Sequence, residues 1–143
     1  MDELSRGVVD EDEDVEAAPT DRLYWEKRAS NPTVALADDL LNMTKEFDQT
    51  LELKYNKFYI GFSKAGQPFN FAAIRPRKST VNLEIRLPRT EEFDSLIESA
   101  NLETLEYAAR WGAYRLSLGP EDIRKRGEVL KKLLSAAYTN RTA

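Results

Sequence analysis

Between residues 81 and 87 the chain alternates without a break: Val81, Leu83, Ile85 and Leu87 are apolar, Asn82, Glu84 and Arg86 are polar, and Pro88 ends the run. A period of two places the four apolar side chains on one face of a strand and the polar ones on the other. The chain must therefore build a sheet with one face packed on a core and one face carrying polar and charged groups. The same period runs through residues 57–62, where Phe58, Ile60 and Phe62 alternate with Lys57, Tyr59 and Gly61. Lys64-Ala-Gly-Gln-Pro68 supplies a glycine-containing turn, and Phe69 to Arg75 reads as the returning strand of a hairpin. Tyr114, Leu116 and Leu118, set against Arg115 and Ser117, give a further strand.

Elsewhere the period is 3.6. Ser30-Asn31-Pro32 signals a helix start, and Leu36, Leu40, Met43 or Thr44, and Phe47 recur at three- and four-residue steps, which predicts an amphipathic helix over roughly 33–48. Thr90 before Glu91 and Glu92 opens a second helix, with Phe93, Leu96, Ile97 and Ala100 as its buried stripe. A short helical turn is expected around Glu103–Tyr107. Gly119-Pro120-Glu-Asp122 begins a last helix whose core side is Ile123, Leu130, Leu133 or Leu134, and Ala137. Strands that follow one another without an intervening helix favour antiparallel pairing. The reading is an α+β fold, a two-layer sandwich in which a mainly antiparallel sheet of about four strands is packed by three or four helices.

At 143 residues there is material for one core. Residues 1–20 hold eight acids and one base, with no apolar periodicity, and read as a disordered acidic tail; residues 21–143 hold 17 acids and 20 bases and form the single domain. The mildly basic body is thus hidden beneath a net charge of -4. The tail reads as a solvated leader or linker remnant, or else as an acidic segment that folds back over a basic face. No apolar run approaches the roughly 20 residues of a spanning helix, and the acidic opening is unlike a signal peptide. A cytoplasmic location with no membrane association is expected.

Cysteine and histidine are both absent. Disulfides, thiolate chemistry, Ser–His triads and His-ligated zinc are excluded with them. No catalytic residue, metal site or cofactor is assigned. The densest interleaving of cations and rings lies between Lys54 and Arg86, and the candidate ligand-binding residues are Lys54, Lys57, Tyr59, Arg75, Arg77, Lys78 and Arg86. If Phe58, Ile60 and Phe62 face the helices, Lys57 and Tyr59 share the opposite face with Arg86, which offers phosphate neutralisation and a stacking surface together. Solvent-facing strands also carry such residues for solubility alone. Arg75-Pro-Arg77-Lys78 is a basic turn suited to phosphate or to blocking edge pairing. Glu52-Leu-Lys54 and Glu84-Ile-Arg86 match the acid-x-base half of a Mg²⁺-dependent nuclease site, without a partner Asp on a preceding strand. Trp25 and Trp111 are read as core or rim packing, with ligand stacking as the alternative.

The stretches Leu51–Phe62, Asn70–Lys78, Leu83–Leu87, Tyr114–Leu116 and the helix ending Ala136-Ala-Tyr138 together resemble an uncharacterised prokaryotic domain-of-unknown-function family, over roughly residues 22–138. Members of that family are sometimes labelled predicted transport proteins, and they occur alone or C-terminal to restriction- or nuclease-like proteins. The resemblance implies a helix-plus-antiparallel-sheet unit and a restriction or defence setting in bacteria, and it carries over no catalytic residue. The expected function is a non-catalytic accessory module that binds nucleic acid or an anionic ligand, its partner being nucleic acid or a nuclease-system protein. The alternatives are a protein-interaction or structural module and, last, a Mg²⁺-dependent nuclease-like enzyme. Oligomeric state is left open.

Overall fold

The computed structural model describes residues 20–142. The acidic segment read as a tail lies outside the described residues, save Thr20. Among the described residues there are five helices and seven strands. In chain order they are α1 (Arg22–Arg28), α2 (Asn31–Thr44), β1 (Leu51–Tyr55), β2 (Ile60–Lys64), β3 (Gln67–Pro68), β4 (Ala72–Pro76), β5 (Val81–Arg86), α3 (Glu91–Ser99), β6 (Glu103–Ala108), β7 (Ala113–Leu118), α4 (Pro120–Lys125) and α5 (Gly127–Thr142).

All pairings are antiparallel, and the strands form one sheet in the order β1-β2-β4-β5-β7-β6, with β3 beside the end of β2. The sheet is larger than the four strands expected, for identifiable reasons. Leu51–Tyr55 carries only two fully apolar residues, Leu51 and Leu53, so its alternation is short; the helical turn expected around Glu103–Tyr107 is instead part of the edge strand β6. β6 pairs with β7 from Glu103 to Leu105, shifts register, and rejoins at Ala108 opposite Ala113. That irregularity breaks the period of two that would have marked a strand. The expected returning strand Phe69 to Arg75 is in fact split. Gln67–Pro68 pairs with Ser63 and Lys64, the chain then bulges through residues 69–71, and Ala72–Pro76 resumes against Ile60. Asn70 patches the bulge, its Oδ1 accepting from the Phe62 amide at 2.9 Å.

Val81, Leu83 and Ile85 point toward the helices as their alternation requires, and all are fully buried. The register puts Ile74 opposite Leu83 and Leu116 opposite Leu83 on the other side, so an apolar row crosses the three central strands. Full burial of each such side chain stabilises by about 1.5–3 kcal/mol. The helices α2, α4 and α5 complete this layer through Leu36, Leu40, Ile123, Leu130, Leu133, Leu134 and Ala137. The expected starts are where the helices begin: Ser30 Oγ accepts from the Thr33 amide, Thr90 Oγ1 from Phe93, and Pro120 occupies the first turn of α4. The first of these helices ends at Thr44, earlier than the expected 48. The last helix is two, α4 and α5, broken at Arg126. α1 is an additional helix, capped by Asp21 and pinned by Trp25, whose buried indole donates to Asn56 O at 2.8 Å.

Around Asp48, three parts of the fold are tied together. Its carboxylate lies 2.8 Å from Lys64 Nζ on β2, accepts the Tyr138 hydroxyl from α5, and accepts both the amide and the hydroxyl of Thr50. Hydrogen bonds from Lys64, Thr50 and Tyr138 hold this carboxyl well below the ordinary carboxylate range. Tyr138 in turn packs edge-on against Phe47, Phe69 and Phe71.

Candidate ligand-binding groove

The helices cover one face of the sheet; among the described residues no helical layer covers the other. Because Ala73 pairs with Glu84 and Glu84 with Arg115, while Arg86 pairs with Ala113, the outer row of the three central strands alternates charged side chains with alanines. Alanine at 73 and 113 leaves space where a larger residue would stand. The result is a groove of about 520 Å³ across the open face, floored by Ala73, Ala113, Arg75 and Glu84 and bordered by Tyr59, Arg86 and Trp111.

Two aromatic elements flank the groove. On the β2 side Tyr59 leans over Gly61, so close that a Cβ on Gly61 would lie 3.0 Å from its ring and inside contact distance of Asn70 Oδ1. Glycine at 61 leaves room for both the Asn70 amide and the Tyr59 ring. Arg75 holds the same ring from the groove side, its guanidinium 5.7 Å from the Tyr59 centroid while donating to Phe58 O at 3.0 Å. On the β7 side, Trp111 stands at the tip of the β6–β7 turn, where Gly112 takes φ +65 and the Trp111 amide donates to Ala108 O. Trp111 is 61% exposed. Of the readings open for this residue, core packing is excluded: it is presented to solvent, with Arg110 over its ring at 5.5 Å. Sequence alone does not separate an exposed tryptophan from a buried one; the neighbouring Arg110 and the turn-forming Gly112 are the available signals.

Charge on the groove floor is partly cancelled. Glu84 is gripped by Arg75 at 3.1 Å and approached by Arg115 at 3.8 Å. Arg86 is exposed, and its guanidinium makes no ion pair or hydrogen bond among the described residues. It is the groove's uncommitted cation.

The seven sequence candidates therefore divide. Tyr59, Arg75 and Arg86 line the groove. Lys54 is on the same face, but on edge strand β1 opposite Gly61. Lys57 belongs to the bend between β1 and β2 and not to a strand face, with its ammonium 5.3 Å from the Phe58 ring; Phe58, expected inward, is only half-buried there. Arg77 and Lys78 are exposed in the β4–β5 turn, beyond the end of the groove, where Ser30 Oγ donates to Lys78 O. Strand alternation misplaces Lys57 and Phe58 because β2 begins only at Ile60.

The two carboxylates offered as alternative acids of a metal-dependent nuclease lie far apart. Glu52 is on β1 and Glu84 on β5, with β2 and β4 between them, a separation of roughly 14 Å at the usual strand spacing. Glu84 already faces two arginines. Among the described residues no three Asp or Glu side chains cluster to hold a metal ion, and no helix is long and apolar enough to cross a membrane.

No curated protein and no solved structure matches this chain. A family model does, over residues 22–141, which is nearly the whole described fold. The chain belongs to the family described as "Domain of unknown function (DUF5655)".

Proposed function

We propose that this domain is a non-catalytic module that binds nucleic acid through its open sheet face. The observation that carries the reading is the pairing of an exposed Trp111 with an uncommitted Arg86 at one side of a groove whose other side is Tyr59. A large aromatic left in water forfeits the transfer free energy that burial gives elsewhere in the fold, and such residues concentrate where a ligand completes the packing. Rings for base stacking beside a cation for phosphate are what an anionic, planar-ringed ligand requires. The exposed Arg77 and Lys78, at the end of the sheet, extend the positive field toward a longer backbone. The resemblance to modules found beside restriction- and nuclease-like proteins supports an accessory role in a bacterial defence system, delivering or retaining nucleic acid for a catalytic partner.

The test is fluorescence anisotropy with labelled oligonucleotides over a salt series. Binding should weaken steeply from 50 to 200 mM salt, and Arg86→Ala should lower affinity for every sequence and reduce the salt slope by about one phosphate contact. Binding that ignores salt and Arg86, or an affinity for protein but not nucleic acid, contradicts the proposal and favours a protein-interaction module.

A further inference from the structure

The groove does not end at Trp111. On the far side of the same two residues, Arg86 and Trp111, the surface opens into a second depression of about 460 Å³, whose remaining wall is formed by Pro88, Gly112, and Asn140 and Arg141 from the last turn of α5. Trp111 and Arg86 thus border both spaces, with Arg110 lying over the indole at 5.5 Å. Arg141 is exposed, held 5.7 Å above the Phe69 ring, and its guanidinium makes no ion pair or hydrogen bond among the described residues. Two uncommitted guanidinium groups therefore lie along one path, one beside Trp111 and one beyond it.

The two ring-bearing sides of the groove stand on well-separated strands. Tyr59 precedes β2 and Trp111 precedes β7, so three strand steps separate the two ring-bearing sides of the groove, roughly 14 Å at the usual spacing. A base stacked between two rings needs only about 7 Å, twice the roughly 3.4 Å rise of a stacked base. The two adjoining depressions, which share Arg86 and Trp111, give room for different parts of one longer ligand.

Resting on the nucleic-acid reading of the groove, we infer that Trp111 separates two adjoining nucleotide sites, and that the ligand is a single strand of at least two linked nucleotides. One base lies in the groove over Ala73 and Ala113, beside the indole. The next base lies in the second depression, Arg86 meets the phosphate that joins them, and Arg141 with Asn140 meets the following phosphate. A duplex does not fit this arrangement, since its bases are already stacked on one another and present edges and not faces to a side chain.

The experiment is a length series read by tryptophan fluorescence quenching and competition at low salt: thymidine monophosphate, the thymidine dinucleotide and tetranucleotide, and a 12-base-pair duplex. Wild-type protein, Arg141→Ala and Arg86→Ala are compared. The tetranucleotide should bind at least tenfold more tightly than the monophosphate, and Arg141→Ala should erase most of that gain while leaving monophosphate binding within twofold. Arg86→Ala should weaken both. Equal affinity for monophosphate and tetranucleotide, an undiminished gain in Arg141→Ala, or a duplex bound as tightly as the single strand overturns the two-site inference while leaving the nucleic-acid reading standing. Failure of wild type to bind any nucleic acid overturns both. Circular dichroism of the variants confirms that each is folded, and both substitutions replace exposed side chains.

Discussion

Arg75 and Glu84 are diagonal neighbours on adjacent strands, Nε lying 3.1 Å from Oε2 and Nη2 3.4 Å from Oε1, and this pair forms the charged floor of the groove. The ion pair is partly exposed, so its worth to folding is modest. Glu84→Gln should lower stability by no more than about 1 kcal/mol. Its effect on binding should be of opposite sign, because Arg75 and Arg115 then keep their full charge toward a phosphate. Affinity for a single-stranded oligonucleotide should rise about three- to fivefold, just under 1 kcal/mol. Anisotropy titration beside urea unfolding measures both quantities. A nuclease that relied on Glu84 would instead lose its activity with this substitution.

The two tryptophans should respond to mutation in opposite ways. Trp25 is 2% exposed and its indole is hydrogen-bonded to Asn56 O, so Trp25→Ala should destabilise by about 3–5 kcal/mol. Trp111→Ala should change stability by less than about 0.5 kcal/mol, since nothing in the core leans on it. Its cost should fall on ligand affinity, at about 1–3 kcal/mol for a lost stacking partner. Denaturant midpoints and binding isotherms on the same preparations separate the two effects.

Much of this architecture was legible in residue spacing alone. Val81 to Leu87 announced the central strand, and the caps Ser30 and Thr90 and the Pro120 helix start are where they were expected. What escaped notice was structure whose local pattern is short or interrupted. β1 is five residues long, β6 shifts register between Leu105 and Ala108, and the bulge at 69–71 divides one expected strand into two. The site was half visible for a related reason. Alternation correctly assigns Arg86 to the outer face because it lies within a regular strand, whereas Arg75, expected in a basic turn, stands within β4. It fails for Lys57 in a bend and says nothing of Trp111, whose position depends on a long-range pairing of β7 with β5.

Acid sensitivity should be traceable to Asp48. Lys64, Thr50 and Tyr138 depress its folded-state pKa, so the stabilisation it provides is fully present above the unfolded carboxylate value of about 3.9 and is lost as pH falls through the folded value. Asp48→Asn should therefore lower the Tm by a few degrees at pH 7, with the difference from wild type narrowing steadily below pH 4. Thermal melts of both proteins between pH 2 and 7 test this. A gap between them that is constant with pH would mean that the Lys64 and Tyr138 contacts add nothing specific to the charged form.

The most direct test of the binding face uses the two indole N–H signals in a ¹⁵N–¹H correlation spectrum. Trp25 donates to Asn56 O inside the fold and serves as an internal reference, while Trp111 borders the groove. On titration with single-stranded DNA, the Trp111 indole and the amides of Ala73, Arg86 and Ala113 should shift together, with the Trp25 indole unmoved. Saturable binding that leaves Trp111 and these amides in place, or that perturbs only the Lys57 and Arg77–Lys78 end of the sheet, would contradict the assignment of the groove.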